Sequence, residues 1–341
     1  MSKNARLIAM GLSIAMIGGV FTGCSSNEKK ESNEKPAIAQ KEEEETKAFE
    51  EVQYVYDNGK EKVDVKVEKA PQKAVTLSQF MTEMLLALDL GDRMVGTALL
   101  DNEILPEFKE AYDKIPVLEV GEGHSISKEA FVATGADFVS GWDSSISDET
   151  TGSAKELAER GVVPYLAKSY TGDSTIDDVY EDFLMLGKIF GVQEKAKEVV
   201  EAMKKDVSDV KASIGDKKDE EKVKAMVYDS GEKDAMVVGG GLGNNLIELA
   251  GGKNIYGDLK KPYENVSFES IVKANPDVIL ITDFLAGQPA QEKIDFLKNH
   301  PALKEVNAVK NNNFHVIGLA DLSPGVRNTK LIKKMNEIFY K

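Results

Sequence analysis

A chain of 341 residues with 42% hydrophobic, 7% aromatic and 30% charged side chains has the make-up of a water-soluble globular protein and the length of about two domains. The formal net charge of −15 argues against nucleic acid as a partner, because no basic stripe is present to neutralise phosphates. A single cysteine excludes a disulfide within the chain.

The chain opens with MSKNAR, which carries Lys3 and Arg6, followed by the short apolar run LIAMGLSIAMIGGVF and then Thr22-Gly23-Cys24. A charged start, an apolar middle and small residues at the end are the parts of a signal peptide, expected over 1–23. Cys24, straight after Thr-Gly, resembles the lipidated cysteine of a bacterial lipobox, with Phe21 standing where leucine is usual. A plain signal peptide with a chance cysteine and an uncleaved anchor are the alternatives. Residues 24–51 are charged and hold almost no large apolar groups, so they are expected to form a disordered, solvated tether, kept extended by Glu42 to Glu45.

From Val52 the pattern changes. VQYVYDNGKEKVDVKV alternates on both sides of Asp57-Asn58-Gly59 and predicts a hairpin. KAVTLS predicts a buried strand, TEMLLALDL (82–90) a helix ending at Gly91, and RMVGTA a strand. A strand is also expected to include Val117 to Val120. SKEAFVATGA, DFVSGW, SAKELAERG and VVPYLA continue as helix, strand, helix, strand. Residues 176–213 then carry apolar groups at helical spacing, interrupted at Gly191. VKAMVYDS restarts the alternation, followed by NNLIELAGG, SFESIVKAN, DVILITD, NFHVIGL and a closing helix LIKKMNEIFY. This rhythm predicts an α/β protein with mostly parallel sheets covered by helices.

Two phrases occur twice, in the same order. SKEAFVATGADFVSGWD (127–143) matches SFESIVKANPDVILITD (267–283), and LLALDLGDRMVG (85–96) matches LIELAGGKNIYG (246–257). The spacing between the phrases differs, so the first half carries extra residues between them. Two ordered matches predict two similar lobes.

The opening hairpin with its DNG turn, LLALDLGDRMVG, PYLA before a long helical stretch, LIELAGGKNIYGDL, VSFESIVKANPDVILITD and HPALKEVNAVKNNNFHVIG together resemble the binding proteins of ABC importers for iron–siderophore, cobalamin and haem. The resemblance covers about residues 52–341. It implies two Rossmann-like lobes joined by a single long helix, with the ligand cleft between them: an N-terminal α/β lobe at 52–175, a linking helical segment at 176–213 and a C-terminal α/β lobe at 214–341. It also implies a monomer held at the outer face of the cell membrane, an ABC permease with its ATPase as partners, and a metal chelate as cargo. A ferric siderophore is the first choice, and haem or a corrinoid the alternative. Glu129 and Glu269, one per lobe, are implied to meet arginines of the permease; their plainer role is to favour the N-terminal turn of a helix capped by Ser127 or Ser267.

In open α/β sheets ligands sit beyond the carboxyl ends of strands. That rule selects Ser78 and Phe80, His124, Trp142, Asp143 and Ser144, Tyr170, Ser230, Phe284 and Arg327, and Tyr263 joins them as an aromatic able to line the cleft. Trp142 suits stacking on a flat ligand, with packing as the alternative. His124 suits a hydrogen bond or a metal centre. Arg327, in SPGVRNTK, suits a carboxylate or phosphate, with an ion pair to a neighbouring Asp as the alternative. GGGLGNN (239–245) lacks the spacing of a dinucleotide fingerprint, and no GxxxxGK[ST], GxSxG, HExxH or CxxC occurs, so no cofactor is expected and the ATPase, hydrolase, zinc-protease and redox readings lack support. A secreted α/β enzyme and a surface adhesin are the rivals from other classes.

Overall fold

A computed structural model describes residues 49–121, 125–215 and 218–341. The expected signal peptide, Cys24, nearly all of the tether and His124 lie outside the described residues.

The chain enters through a hairpin, β1 (Val52–Asp57) against β2 (Lys62–Val67), paired from Val52↔Val67 to Asp57↔Lys62. Its turn is built by Asp57, whose carboxylate accepts the Gly59 N–H at 2.9 Å, and by Asn58, which accepts from Lys60 and Glu61. The first lobe then runs β3 (Ala74–Leu77), α1 (Gln79–Ala87), β4 (Met94–Thr97), α2 (Lys109–Tyr112), α3 (Lys128–Ala133), β5 (Phe138–Gly141), α4 (Ala154–Glu159) and β6 (Val163–Tyr165). Its sheet has the order β4-β3-β5-β6, every pair parallel. Helix α1 starts at Gln79, earlier than the apolar pattern predicts, because Ser78 caps it by accepting the Met81 N–H at 3.3 Å. The strand expected at Val117 to Val120 is a single bridge, Thr97↔Val117.

Two helices follow, α5 (Ile176–Phe190) and α6 (Gln193–Ile214). Gly191, at φ 70°, ends the first in the left-handed conformation. Helix α6, roughly 33 Å long at about 1.5 Å per residue, packs on α5 at one side and on two helices of the second lobe, Leu242–Leu249 and Arg327–Tyr340, at the other. It is the strut between the lobes.

The second lobe runs β7 (Val223–Ser230), β8 (Ala235–Val238), α7 (Leu242–Leu249), β9 (Gly252–Asn254), β10 (Tyr263–Val266), α8 (Phe268–Ala274), β11 (Val278–Asp283), α9 (Ala290–Asn299), α10 (Asn307–Lys310), β12 (Phe314–Gly318), α11 (Leu319–Leu322) and α12 (Arg327–Tyr340). Strands β9-β7-β11-β12 are parallel and repeat the order of the first lobe. This is the structural origin of the doubled phrases: each copy of the longer one is a capped helix followed by the third strand of its lobe. Ser127 and Ser267 hold the same backbone conformation, φ −75° and ψ 152°, and each hydroxyl accepts the amide three residues on. The second sheet departs from the first by adding β8 and β10 as antiparallel members.

Alternation along β7 and β11 divides the core of the second lobe. Ala225, Val227, Val278 and Leu280 join an apolar cluster continuous with the first lobe and the strut, whereas Met226, Tyr228, Ile279 and Ile281 face a separate cluster closed by Phe268, Leu297 and Val306. A strand buried on both faces reads as an unbroken apolar run, which VILI is.

Candidate functional site

The lobes face each other across a groove with a cavity of about 640 Å³. The first lobe contributes Trp142, which follows β5, and Ser169 to Gly172, which follow β6. The second contributes Asp229 of β7, Leu242 and Gly243 at the start of α7, the segment Lys261 to Tyr263, and Leu319, Leu322, Ser323 and Pro324 in and after α11. The first set, Asp229 and the residues from Leu319 onward lie at or just beyond the carboxyl ends of parallel strands, whereas Leu242, Gly243 and the segment Lys261 to Tyr263 flank the antiparallel pair β8–β10.

An aromatic group forms the wall of the first lobe. Trp142 meets Phe80 edge-on at 5.1 Å between ring centres and Tyr170 at 5.4 Å, and Phe80 lies nearly parallel to Tyr170 at 6.2 Å. Phe80 is buried behind the other two. The loop carrying Tyr170 is pinned from below by Asp182 of α5. Its buried carboxylate accepts the Tyr165 hydroxyl at 2.6 Å, the Lys168 and Ser169 N–H groups at 2.8 Å each, and the Ser169 hydroxyl. Tyr263 stands on the second lobe with 38% of its surface exposed. Burial pushes its phenol well above the usual value, helped by the carboxylates of Asp229 and Asp101.

The glycine run 239–241 is a close-approach device. A Cβ on Gly241, which has φ 78°, would lie 2.6 Å from the Gly172 carbonyl oxygen of the other lobe; on Gly239 and Gly240 it would lie 2.3 and 2.4 Å from the carbonyls of Lys261 and Leu259. The lobes touch again where the side-chain oxygen Oδ1 of Asn245 accepts the first amide of α5, from Ile176, at 2.9 Å.

At another inter-lobe contact Arg327 of α12 donates to Glu83 of α1 through Nε at 2.6 Å and Nη2 at 2.8 Å, to the Glu103 carbonyl at 2.5 Å and to Asp321 at 3.2 Å. Burial works against the guanidinium, yet its bonds to Glu83 and Asp321 outweigh this and hold its pKa above the usual value. Arg327 is thus an inter-lobe ion pair and is not turned to an anionic ligand. Beside it Asn102 donates to the Asp283 carbonyl at 2.8 Å and accepts from Ala320 N–H at 2.9 Å, while Gln79 accepts from the Asp101 and Asn102 amides.

Of the sequence-selected residues, Trp142, Tyr170 and Tyr263 line the groove and Phe80 backs it. Asp143 lines an adjoining cavity of about 750 Å³ that shares Tyr170. Ser78 is consumed in capping α1, and Ser230 donates to Asp229 at 3.0 Å. Ser144 opens onto a different cavity. Phe284 lies under Lys293, whose Nζ is 4.9 Å from its ring centre, and covers Gly287. The sequence does not signal Lys261, Pro262 and Leu319; the first two precede an antiparallel strand that the helix–strand rhythm does not show. Among the described residues no group of His, Cys, Asp and Glu is arranged to hold a metal ion, and no helix is long and apolar enough to cross a membrane.

The sequence model of a family described as periplasmic binding protein matches residues 74–319. The chain is 28% identical over 238 residues to the uncharacterized ABC transporter substrate-binding lipoprotein YvrC of Bacillus subtilis, covering 67% of this chain and 69% of that one. It is 22% identical over 215 residues to the vitamin B12-binding protein of Yersinia pestis, covering 63% and 70%. The crystal structure of a periplasmic binding protein from Veillonella parvula superposes with a TM-score of 0.78 at 30% identity, covering 85% of this chain and 98% of that one.

Proposed function

Since the chain belongs to the periplasmic binding protein family, we propose that it is the lipid-anchored, extracytoplasmic receptor of an ABC importer, capturing a metal chelate, first of all a ferric siderophore, and handing it to a permease driven by its ATPase. The observation that carries this reading is the groove of about 640 Å³ in which Trp142 and Tyr170 oppose Tyr263 across the two lobes. Its size is that of a small-ligand site, typically 300–1,000 Å³. Aromatic faces supply shape and dispersion to a chelate, and the half-buried Ser323 hydroxyl supplies polar fit. No bond is made or broken in this function. The strut α6 and the buried contacts between the lobes favour a small movement on binding.

Delivery needs a face that the permease can read on both lobes at once. Glu129 and Glu269 are exposed, each in the first turn of a helix capped in the same way. Two matched charges on similar lobes suit a two-fold partner and set register more than affinity. A corrinoid is the second reading, supported by the vitamin B12-binding relative.

The test is a titration followed by the fluorescence of Trp142, using ferric siderophores, haem and cyanocobalamin. Saturable quenching at one ligand per chain, with the compound recovered unchanged, is the expected result. Turnover of the compound would make the protein an enzyme, and no binding at about micromolar concentration would reject the receptor reading.

A further inference from the structure

The charges around the groove narrow the chemistry of the ligand, on the premise that the chain is a chelate receptor. Among the described residues lining the groove there is one cation, Lys261, and one carboxylate, Asp229. Three further cations close to the groove are committed elsewhere. Arg327 is closed off by Glu83 and Asp321. Lys168 is paired with Asp178 at 2.8 Å and Glu181 at 2.7 Å. Lys293 is buried and donates to the Thr282 carbonyl at 2.8 Å. The acids are less satisfied. Asp229 accepts hydroxyl protons from Thr282 at 2.8 Å and Ser230 at 3.0 Å, and among the described residues it has no ion-pair partner within 4.0 Å. Asp101 Oδ2 and Asp143 Oδ1 are buried without any hydrogen-bond partner, although the other oxygen of Asp143 lies 3.7 Å from the exposed Lys60. Asp101 and Asp229 act on Tyr263, and Asp143 acts on Tyr170, so these carboxylates bear on both aromatic walls.

We propose that the groove selects metal chelates of zero or positive net charge and rejects multiply anionic ones. Three hydroxamates cancel the charge of ferric iron, leaving a neutral core, and an added amine makes the complex a cation. Three catecholates leave a trianion, and haem brings two propionates. A trianion entering a half-enclosed site must be met by cations that survive desolvation, and one exposed lysine in a groove that also holds Asp229 does not meet it. The faces of Trp142, Tyr170 and Tyr263 attract a cation and pack equally well on a neutral chelate.

The experiment measures affinity for four probes at one ionic strength: ferrioxamine B, a cationic trihydroxamate; ferric enterobactin, a trianionic tris-catecholate; haem; and cyanocobalamin, which is neutral. The expected result is that ferrioxamine B or cyanocobalamin binds at least about a hundredfold tighter than either anion. Binding of ferric enterobactin or haem as tight as the best other probe overturns the charge rule and leaves the receptor reading standing. If none of the four binds, both fall. Asp229→Asn supplies a second readout. It should weaken a cationic probe by about fivefold or more relative to a neutral one, and raised salt should reduce the difference; an unchanged ratio in a folded variant counts against the rule.

Discussion

Glu83 and Arg327 lie side by side as a buried carboxylate–guanidinium fork, with contacts of 2.6 and 2.8 Å that join the first helix of one lobe to the last helix of the other. A rotation that parts the lobes at this point must break the fork. Removing one partner leaves the other charge buried, so Arg327→Met should destabilise the protein by about 3–5 kcal/mol. Glu83→Leu combined with Arg327→Met should cost less than Arg327→Met alone, since no charge is then orphaned at the fork. Urea denaturation of both variants checks this. A double variant less stable than the single one would show that the bonds Glu83 accepts from the Leu105 amide and from Gln79, not its pairing with Arg327, set the cost at this contact.

Trp142 sits in the groove, partly buried, with its edges braced by Phe80 and Tyr170. A ligand that stacks on it loses that contact in Trp142→Ala, and the dissociation constant should rise by the equivalent of about 1–3 kcal/mol. Calorimetry is the measurement, because the variant has no tryptophan left to report. An unchanged constant would assign Trp142 to packing of the wall alone.

The sequence makes the strand ends of the parallel core readable, and with them Trp142 and Tyr170, because a strand followed by a polar turn marks the edge where an open sheet binds. It does not reveal the wall formed by Lys261 and Pro262, which depends on the antiparallel pair β8–β10. The strand β8, AMVV, has only four residues and no alternating pattern to set it apart from a loop. Arg327 shows the opposite limit. Its position after the last strand is legible, but its partner Glu83 lies on α1, far away in sequence, and only tertiary packing brings the two together. The glycine run at 239–241 stands out in the sequence, though its reason, close backbone approach to Leu259, Lys261 and Gly172, is a property of the assembled lobes.

Asp101 gives the protein a pH signature. Burial pushes its carboxyl up from 3.8 to about 6, and its Oδ2 has no hydrogen-bond partner. The fold therefore prefers the protonated form. Below about pH 4 both folded and unfolded states hold the proton, and the group costs nothing. As pH rises through 6 the unfolded chain has already ionised, and stability falls to a lower plateau. Asp101→Asn should raise the urea midpoint at neutral pH, with the gain vanishing near pH 4. A gain that is equal at both pH values would trace it to something other than ionisation.

Glu129 and Glu269 project from helices α3 and α8, whose capping serines have the same backbone conformation, and both side chains are exposed. Neither lines the groove. Replacing both with alanine should therefore leave chelate affinity unchanged and reduce uptake in cells carrying the cognate permease. Each glutamate also favours the positive end of its helix, and losing that interaction costs about 0.3–1 kcal/mol. Stability must be measured alongside uptake, and a fall of that size does not unfold the protein. The charge-reversed pair, Glu129→Lys with Glu269→Lys, should reduce uptake further at low salt, since like charges then face each other across the interface. Normal transport by the double alanine variant would remove these residues from the docking surface and leave their capping position as their whole role.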